Sequence, residues 1–314
     1  MITYLTPFFR IMAIKSKQYI LTFLIVILTV PLISQNDTTE VNKKRLNFLL
    51  IGGAATYTVS MAGLYHLWYK DYPQSSFHFI NDNNDWMGLD KLGHVTTSYW
   101  VGRISYQALR WAGVKEKHAI WYGGSAGLLF LTTIEIFDGY SAEWGASTGD
   151  LIANAAGAGL FIGQQLGWQE QRLSIKFSYH ATEYAQYRPD LLGSTPVERL
   201  IKDYNGQTFW LSGNIHSFLR ESSKFPKWLN VAVGYGAKGM LGGSENPPEY
   251  EGKALPEYKR CSQYYLSLDV DLTKIPTRSK ALKGLFTILG FIKIPLPTLE
   301  YNAEDQFKFH MLYF

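Results

Sequence analysis

Residues 85–94 read Asp85-Trp86-Met87-Gly88-Leu89-Asp90-Lys91-Leu92-Gly93-His94, and residues 144–157 read Trp144-Gly145-Ala146-Ser147-Thr148-Gly149-Asp150-Leu151-Ile152-Ala153-Asn154-Ala155-Ala156-Gly157. Glu135 and Asp138 lie between the two stretches. Asp90 and His94 are four positions apart, as are Asp150 and Asn154, while Glu135 and Asp138 are three apart. On helices each pair shares one face. The surrounding residues are small and apolar, so these faces are headed for burial. Burying polar groups costs free energy unless they partner one another. The simplest arrangement turns the three faces inward onto a common polar cluster of Asp90, Lys91, His94, Glu135, Asp138, Ser147, Asp150 and Asn154. Ser147 and Asp150 also have the spacing of a helix N-cap and its third residue, so a purely local capping role is the competing reading for that pair.

Working outward, the apolar spacing predicts a helix from Trp86 or Leu89 to Trp111, with Gly113 as its stop. A further helix is predicted over His118–Phe137 and another over Thr148–Leu166. Residues 46–68 hold one ionisable group, His66, and are long enough to cross a bilayer. Loop 71–87 carries Asn81-Asp82-Asn83-Asn84-Asp85, a run that reads as solvated turn or, less simply, as a calcium ligand set. Before all of these, Lys15 and Lys17 precede an apolar run from Tyr19 to Ile33, followed by Ser34. That order is the layout of a secretory signal over 1–34, with cleavage near Ser34 and Met12 as an alternative start. An uncleaved membrane anchor is the competing reading. Residues 35–45 read as a polar linker, 46–168 as the helical region and 169–314 as a β region.

After Trp168 the apolar period changes from near four to two. Leu173, Ile175, Phe177 and Tyr179 alternate with Ser174, Lys176 and Ser178. The same alternation recurs over 209–216, 231–236, 266–272 and 307–314. Such segments, polar on one face and apolar on the other, fit an outer-membrane sheet or an antiparallel sheet packed on the helices. About six strands are expected, with 183–192 and 246–258 as reserves. In the last strand Phe307, Phe309, Met311 and Tyr313 share a phase that leaves Phe314 on the other face. The fold class is therefore α+β: a small-residue-rich bundle of about four helices, then an antiparallel sheet, either open or closed into a membrane barrel.

Charged residues are 18% of the chain and the net charge is +4, with no basic stripe, which speaks against nucleic acid as a partner. Cys261 is the single cysteine, so no internal disulfide is available. The cluster admits three chemistries. Lys91 could pair with Glu135 or Asp150 and lock the helices. A carboxylate, a histidine and a second carboxylate of the cluster could hold a divalent metal that lowers the pKa of a bound water. His94, oriented by an acid, could act as a base.

Asp90-Lys91-x-x-His94, Glu135, Asp138, Trp144-Gly145-x-Ser147-x-x-Asp150 and Asn154-x-x-Gly157 resemble the YfiM-like envelope proteins, a family of unknown function. More distantly they resemble the VanZ-like membrane proteins, which carry Gln where this chain has Asp138. The resemblance covers residues 80–168 and implies an envelope address and a shared helical core, but no reaction. The expectation is an exported envelope protein of the outer membrane or its periplasmic side. It would be non-enzymatic, binding a lipid or glycan or supporting outer-membrane organisation through the cluster. The rival is a metal-assisted hydrolase of a lipid or phosphate ester using Asp90, His94, Glu135 and Asp150. An inner-membrane protein with a periplasmic sheet is the third reading.

Overall fold

The computed structural model describes residues 40–70 and 72–314. The expected secretory signal over 1–34 and the start of the expected linker lie outside the described residues. Helix α1 (Lys43–Leu64) begins at Asn42, whose side-chain oxygen accepts the Arg45 N–H at 3.0 Å. Four helices follow: α2 (Leu89–Trp111), α3 (Glu116–Gly124), α4 (Ala126–Gly139) and α5 (Thr148–Trp168). The single helix expected over 118–137 is instead two, interrupted at Ser125. Glycines explain the path. A Cβ on Gly123 would stand 2.5 Å from the Tyr106 backbone, and one on Gly127 would stand 2.3 Å from the Ser98 carbonyl oxygen. The break lets the glycine-lined face stay against α2 along two turns.

Helix α5 approaches α2 as closely from the other side. A Cβ on Gly157 would stand 2.3 Å from Val95 O, and Ser98 Oγ donates to Asn154 O at 2.7 Å. Gly157→Ala is expected to lower stability by about 1–3 kcal/mol, because a backbone carbonyl cannot yield as a side chain can. Gly159, two positions further on and so on a different face of the helix, faces open space. Gly159→Ala should be neutral or gain up to about 1 kcal/mol from helix propensity. Thermal unfolding of the two variants checks the pair; equal behaviour would contradict the close packing. By length and composition α1 and the α3–α4 stretch are each apolar enough to cross a membrane. The glycine face of α3–α4 is spent on α2, while Trp121, Tyr122, Leu129 and Ile136 elsewhere on the stretch are exposed.

The β region forms one antiparallel sheet in the order β10-β9-β8-β5-β4-β3. Its strands are β3 (Leu173–Tyr179), β4 (Gln207–Asn214), β5 (Leu229–Lys238), β8 (Cys261–Val270), β9 (Leu296–Asn302) and β10 (Gln306–Tyr313). Two short pairs lie outside it: β1 (Phe79–Ile80) with β2 (Ala146–Ser147), and β6 (Glu249–Tyr250) with β7 (Lys253–Ala254). Neither reserve region adds a strand to the main sheet. Residues 183–192 hold a helical turn and α6 (Pro189–Leu192), and 246–258 hold only the β6–β7 hairpin. Helices α7 (Pro196–Lys202) and α8 (Lys280–Ile288) complete the chain.

The sheet is inverted relative to a water-soluble one. Its inward face is polar: Lys176 Nζ lies 2.7 Å from Asp269 Oδ2, both fully buried, and Ser212 Oγ donates to the same oxygen at 2.6 Å. Gln263, Asn302 and His310 converge on the buried Glu300. The outward face holds exposed Val231, Val233, Leu266, Leu268, Leu299 and Tyr301. An antiparallel sheet in water shows the opposite arrangement. The sheet curls, so that Tyr313 on the β10 edge reaches Tyr265 Oη at 2.7 Å and Thr208 Oγ1 at 3.2 Å across the interior. The ladder does not close into a barrel: β3 and β10 remain edges.

The β3 edge is covered by the helices. Its carbonyls Leu173 O and Ile175 O accept Tyr99 Oη–H at 3.2 Å and Trp100 Nε1–H at 2.5 Å. Phe177 O accepts the Lys293 N–H at 2.9 Å. Unpaired edge groups are thereby satisfied, and α2 is fixed beside the sheet. At the other edge, the register of β10 against β9 slips between His310 and Tyr313. This bulge corrects the expected phase: Tyr313 turns inward, while Met311, Leu312 and Phe314 are exposed.

Candidate functional site

Three helices and one loop supply the site. Asp90, Lys91 and His94 come from the first turns of α2. Glu135 and Asp138 come from the last turns of α4, and Ser147, Asp150 and Asn154 from the start of α5. The cap geometry at α5 is as the spacing predicted: Ser147 Oγ accepts the Asp150 N–H at 3.1 Å. The same hydroxyl donates to Asp82 Oδ1 at 2.5 Å, and the Ser147 N–H donates to Glu135 Oε2 at 2.9 Å. Ser147 therefore does more than cap. It ties α5 to α4 and to the loop before α2.

Lys91 is the hub. Its Nζ lies 2.8 Å from Asp82 Oδ2, 2.9 Å from Asp150 Oδ1 and 3.2 Å from Asp90 Oδ2. Asn154 Oδ1 is 2.9 Å from His94 Nδ1, which makes Nδ1 the protonated nitrogen of that bond. His94 Nε2 then faces Asp150 Oδ1 at 3.8 Å and Asp90 Oδ1 at 4.0 Å, with Glu135 Oε1 3.8 Å from Nδ1. The sequence reading brought Asp90, Lys91, His94, Glu135, Ser147, Asp150 and Asn154 together, and the structure places them within one network. Asp138 stands at its margin, accepting the Tyr69 hydroxyl at 2.5 Å.

Three members were not anticipated. Asp82 sits in the polar loop that reads as solvated, where no periodicity marks one acid over another. Its position is set by the short β1–β2 pairing, which tacks residues 79–80 onto 146–147. Tyr204 donates to Asp90 Oδ1 at 2.7 Å from the helical turn that precedes β4. Tyr69 arrives from the end of the first helical segment. Gly149 makes room for the loop, because a Cβ there would fall 2.0 Å from Asn83 Oδ1. Trp86 and Met87, just before α2, have φ of 50° and 54°. Such left-handed conformations cost L side chains about 1–3 kcal/mol and cluster at sites that demand a fixed geometry.

Five carboxyl groups face one ammonium and one imidazole, and burial does the rest. It raises the pKa of Glu135 to about 7, and those of Asp138 and Asp150 to about 6. Burial also works against His94, but the charges of Asp90, Asp150 and Glu135 outweigh it and its pKa is raised. Lys91 is raised likewise by its acids. Asp82 goes the other way, because hydrogen bonds from Lys91 and Ser147 outweigh its burial.

The linkage follows. A group that binds its proton more tightly when folded contributes stability at low pH and loses it as pH rises through its folded pKa. Within the cluster Glu135, Asp138, Asp150 and His94 all have that sign and Asp82 opposes them; outside it His180, lowered by burial, also opposes the slope. Stability is expected to fall by on the order of 2 kcal/mol between pH 5 and pH 8. Glu135→Gln should flatten the slope. Thermal midpoints measured across that range would contradict this if they rose with pH, or if the Gln variant kept the full slope.

A raised pKa leaves less of the His94 imidazole free to act as a general base near neutral pH. Asp90, His94 and Asp150 do offer donor atoms within 4.8 Å of one another, a spacing that suits a divalent ion. The Lys91 ammonium already forms ion pairs with both of those carboxylates. The donor set fits a metal only with Lys91 displaced.

A search of curated proteins and a search of solved structures give no match. Residues 78–162, which hold every member of the cluster except Tyr69 and Tyr204, match the model of a family described as "Predicted periplasmic lipoprotein (DUF2279)". The matching segment is thus similar to an envelope family of unknown function, and the address of the chain is the cell envelope, on its periplasmic side.

Proposed function

We propose that this is a non-enzymatic envelope protein that meets the outer membrane through the outward face of its curled sheet and so supports outer-membrane organisation. The cluster serves as the lock that fixes the helical mount beside the sheet. One observation carries the reading: the sheet buries Lys176, Asp269 and Glu300 and exposes Val233, Leu266, Leu299 and Phe309. A surface of that kind is stable only where it is covered by something apolar, and lipid covers such a face in outer-membrane sheets. The motif order that resembles YfiM-like proteins supports the same address. In flotation with phospholipid vesicles, the purified chain is expected to rise with the lipid. Recovery in the aqueous fraction as a monomer would overturn the proposal.

The Asp90–His94–Asp150 spacing favours a second reading, metal-assisted hydrolysis of a lipid phosphate ester. Metal content of the purified chain decides it, together with release of phosphate by the wild type and by His94→Ala. Turnover that requires both metal and His94 would replace the lock with an active site.

A further inference from the structure

Away from the cluster, a cavity of about 680 Å³ opens between the C-terminal halves of α2 and α5 and helix α8. Its lining is cationic. Arg103, Arg110, Lys274, Arg278, Lys280 and Lys283 all face it, against the single acid Glu170. Two of these cations are committed, Lys274 to Glu170 and Arg110 to Glu116. Four remain that could meet an incoming anion: Arg103, Arg278, Lys280 and Lys283.

Arg103 is the informative one. It is 6% exposed, yet its side-chain hydrogen bonds go to two hydroxyls, Ser174 Oγ at 3.3 Å and Thr273 Oγ1 at 3.2 Å. Its charge also rests 4.8 Å above the Trp100 ring. The acid in this network, Asp271, is reached only through Thr273, whose hydroxyl donates to it at 2.6 Å. A guanidinium buried without a direct carboxylate partner among the described residues, on the wall of a cavity, is suited to a planar-donor contact with phosphate.

Helix α8 adds an independent observation. Lys280, Lys283, Gly284 and Thr287 follow the spacing of one helical face, and that face lines the cavity. Ala281, Leu282 and Leu285 lie on another face, and all three are exposed. A cationic face toward a cavity beside an apolar face toward the surroundings is the pattern of an interfacial helix.

We propose that this cavity binds the phosphate of an anionic lipid headgroup, with Arg103, Arg278, Lys280 and Lys283 on the phosphate and Leu282 and Leu285 beside the acyl chains. The lipid source rests on the membrane seating proposed above, whereas the phosphate site does not. The test uses the full chain in neutral detergent, with retained phosphatidylglycerol counted by native mass spectrometry. The comparison is Lys280→Gln/Lys283→Gln, two exposed positions whose change leaves the core intact. At about a fivefold loss per surface cation, the double variant should bind about 25-fold more weakly. Arg103→Lys, which keeps the charge and loses the fork, should weaken binding further without unfolding the chain.

Retention that resists millimolar inorganic phosphate identifies the lipid as the ligand. Displacement by inorganic phosphate alone supports the phosphate site and assigns it to a free phosphate. Equal retention by the wild type and the double variant, or equal preference for a neutral lipid, overturns the proposal. Flotation on neutral vesicles is expected to be the same for wild type and variant, so failure of the cavity and failure of the sheet's lipid contact are read separately.

Discussion

Substitution of Lys91 by methionine is expected to destabilise the fold by about 3–5 kcal/mol, the usual result of removing one partner from a buried ionic network. Methionine keeps the stem and removes the charge. Asp82, Asp90 and Asp150 then face one another without the ammonium that lies within 3.2 Å of each. Three carboxylates cannot all stay ionised at that separation, so at least one must take up a proton. The loss should therefore be largest above pH 7 and smaller near pH 5, where protonation is cheap. At neutral pH the thermal midpoint should drop by on the order of 10 °C. Adding Asp150→Asn to Lys91→Met removes one of the stranded charges and is expected to recover part of the loss, a coupling that a double-mutant cycle reads directly. A Lys91→Met protein within 1 kcal/mol of wild type at pH 8 would mean that the cluster does not lock the helices.

The site was legible to the extent that helix periodicity carried it. Asp90 with His94 and Asp150 with Asn154 are one turn apart, and a helix has no option but to present them together. Asp138 has the right spacing from Glu135 yet ends at the margin, because the last turn of α4 rotates it toward Tyr69. Asp82 and Tyr204 had no such signal. A loop acid has no period, and the pairing of Tyr204 with Asp90 spans 114 positions, which only the packed chain brings together. The break at Ser125 was half visible. Gly123, Gly124 and Gly127 announce close packing, but not whether the helix bends or stops to achieve it.

In the sheet, the strands with clean alternation were readable, and β9 was the one hidden. Its Pro297 lacks an N–H to donate to a neighbouring strand, which makes the segment read as loop. The structure resolves the conflict with the bulge in β10. His310 pairs with Thr298 and Tyr313 with Leu296, so two residues of β10 stand against Pro297 where the ladder skips. The same irregularity reverses the phase of the C-terminal residues. A sequence pattern of period two cannot reveal a bulge, because the bulge is what breaks the period.

Lysine at two outward positions of the sheet should distinguish lipid contact from exposure to water more sharply than any other change. Val233 and Leu299 lie two strands apart on either side of Leu266, so the introduced charges do not oppose each other directly. Both side chains are exposed, at 52% and 39%. If the face met only water, Val233→Lys/Leu299→Lys would change stability by no more than about 0.5 kcal/mol per site and leave partitioning unchanged. If the face meets hydrocarbon, each lysine costs about 2–4 kcal/mol at mid-depth and less near the interface, so vesicle association should weaken by about 30-fold or more. The inward polar network of Lys176, Asp269 and Ser212 is untouched by either change, so the strands should keep their circular dichroism. A folded double variant released into the aqueous fraction is the expected result. A variant that floats as the wild type does would leave the apolar face without a lipid partner, since no seating in hydrocarbon tolerates two central ammonium groups at no cost in affinity.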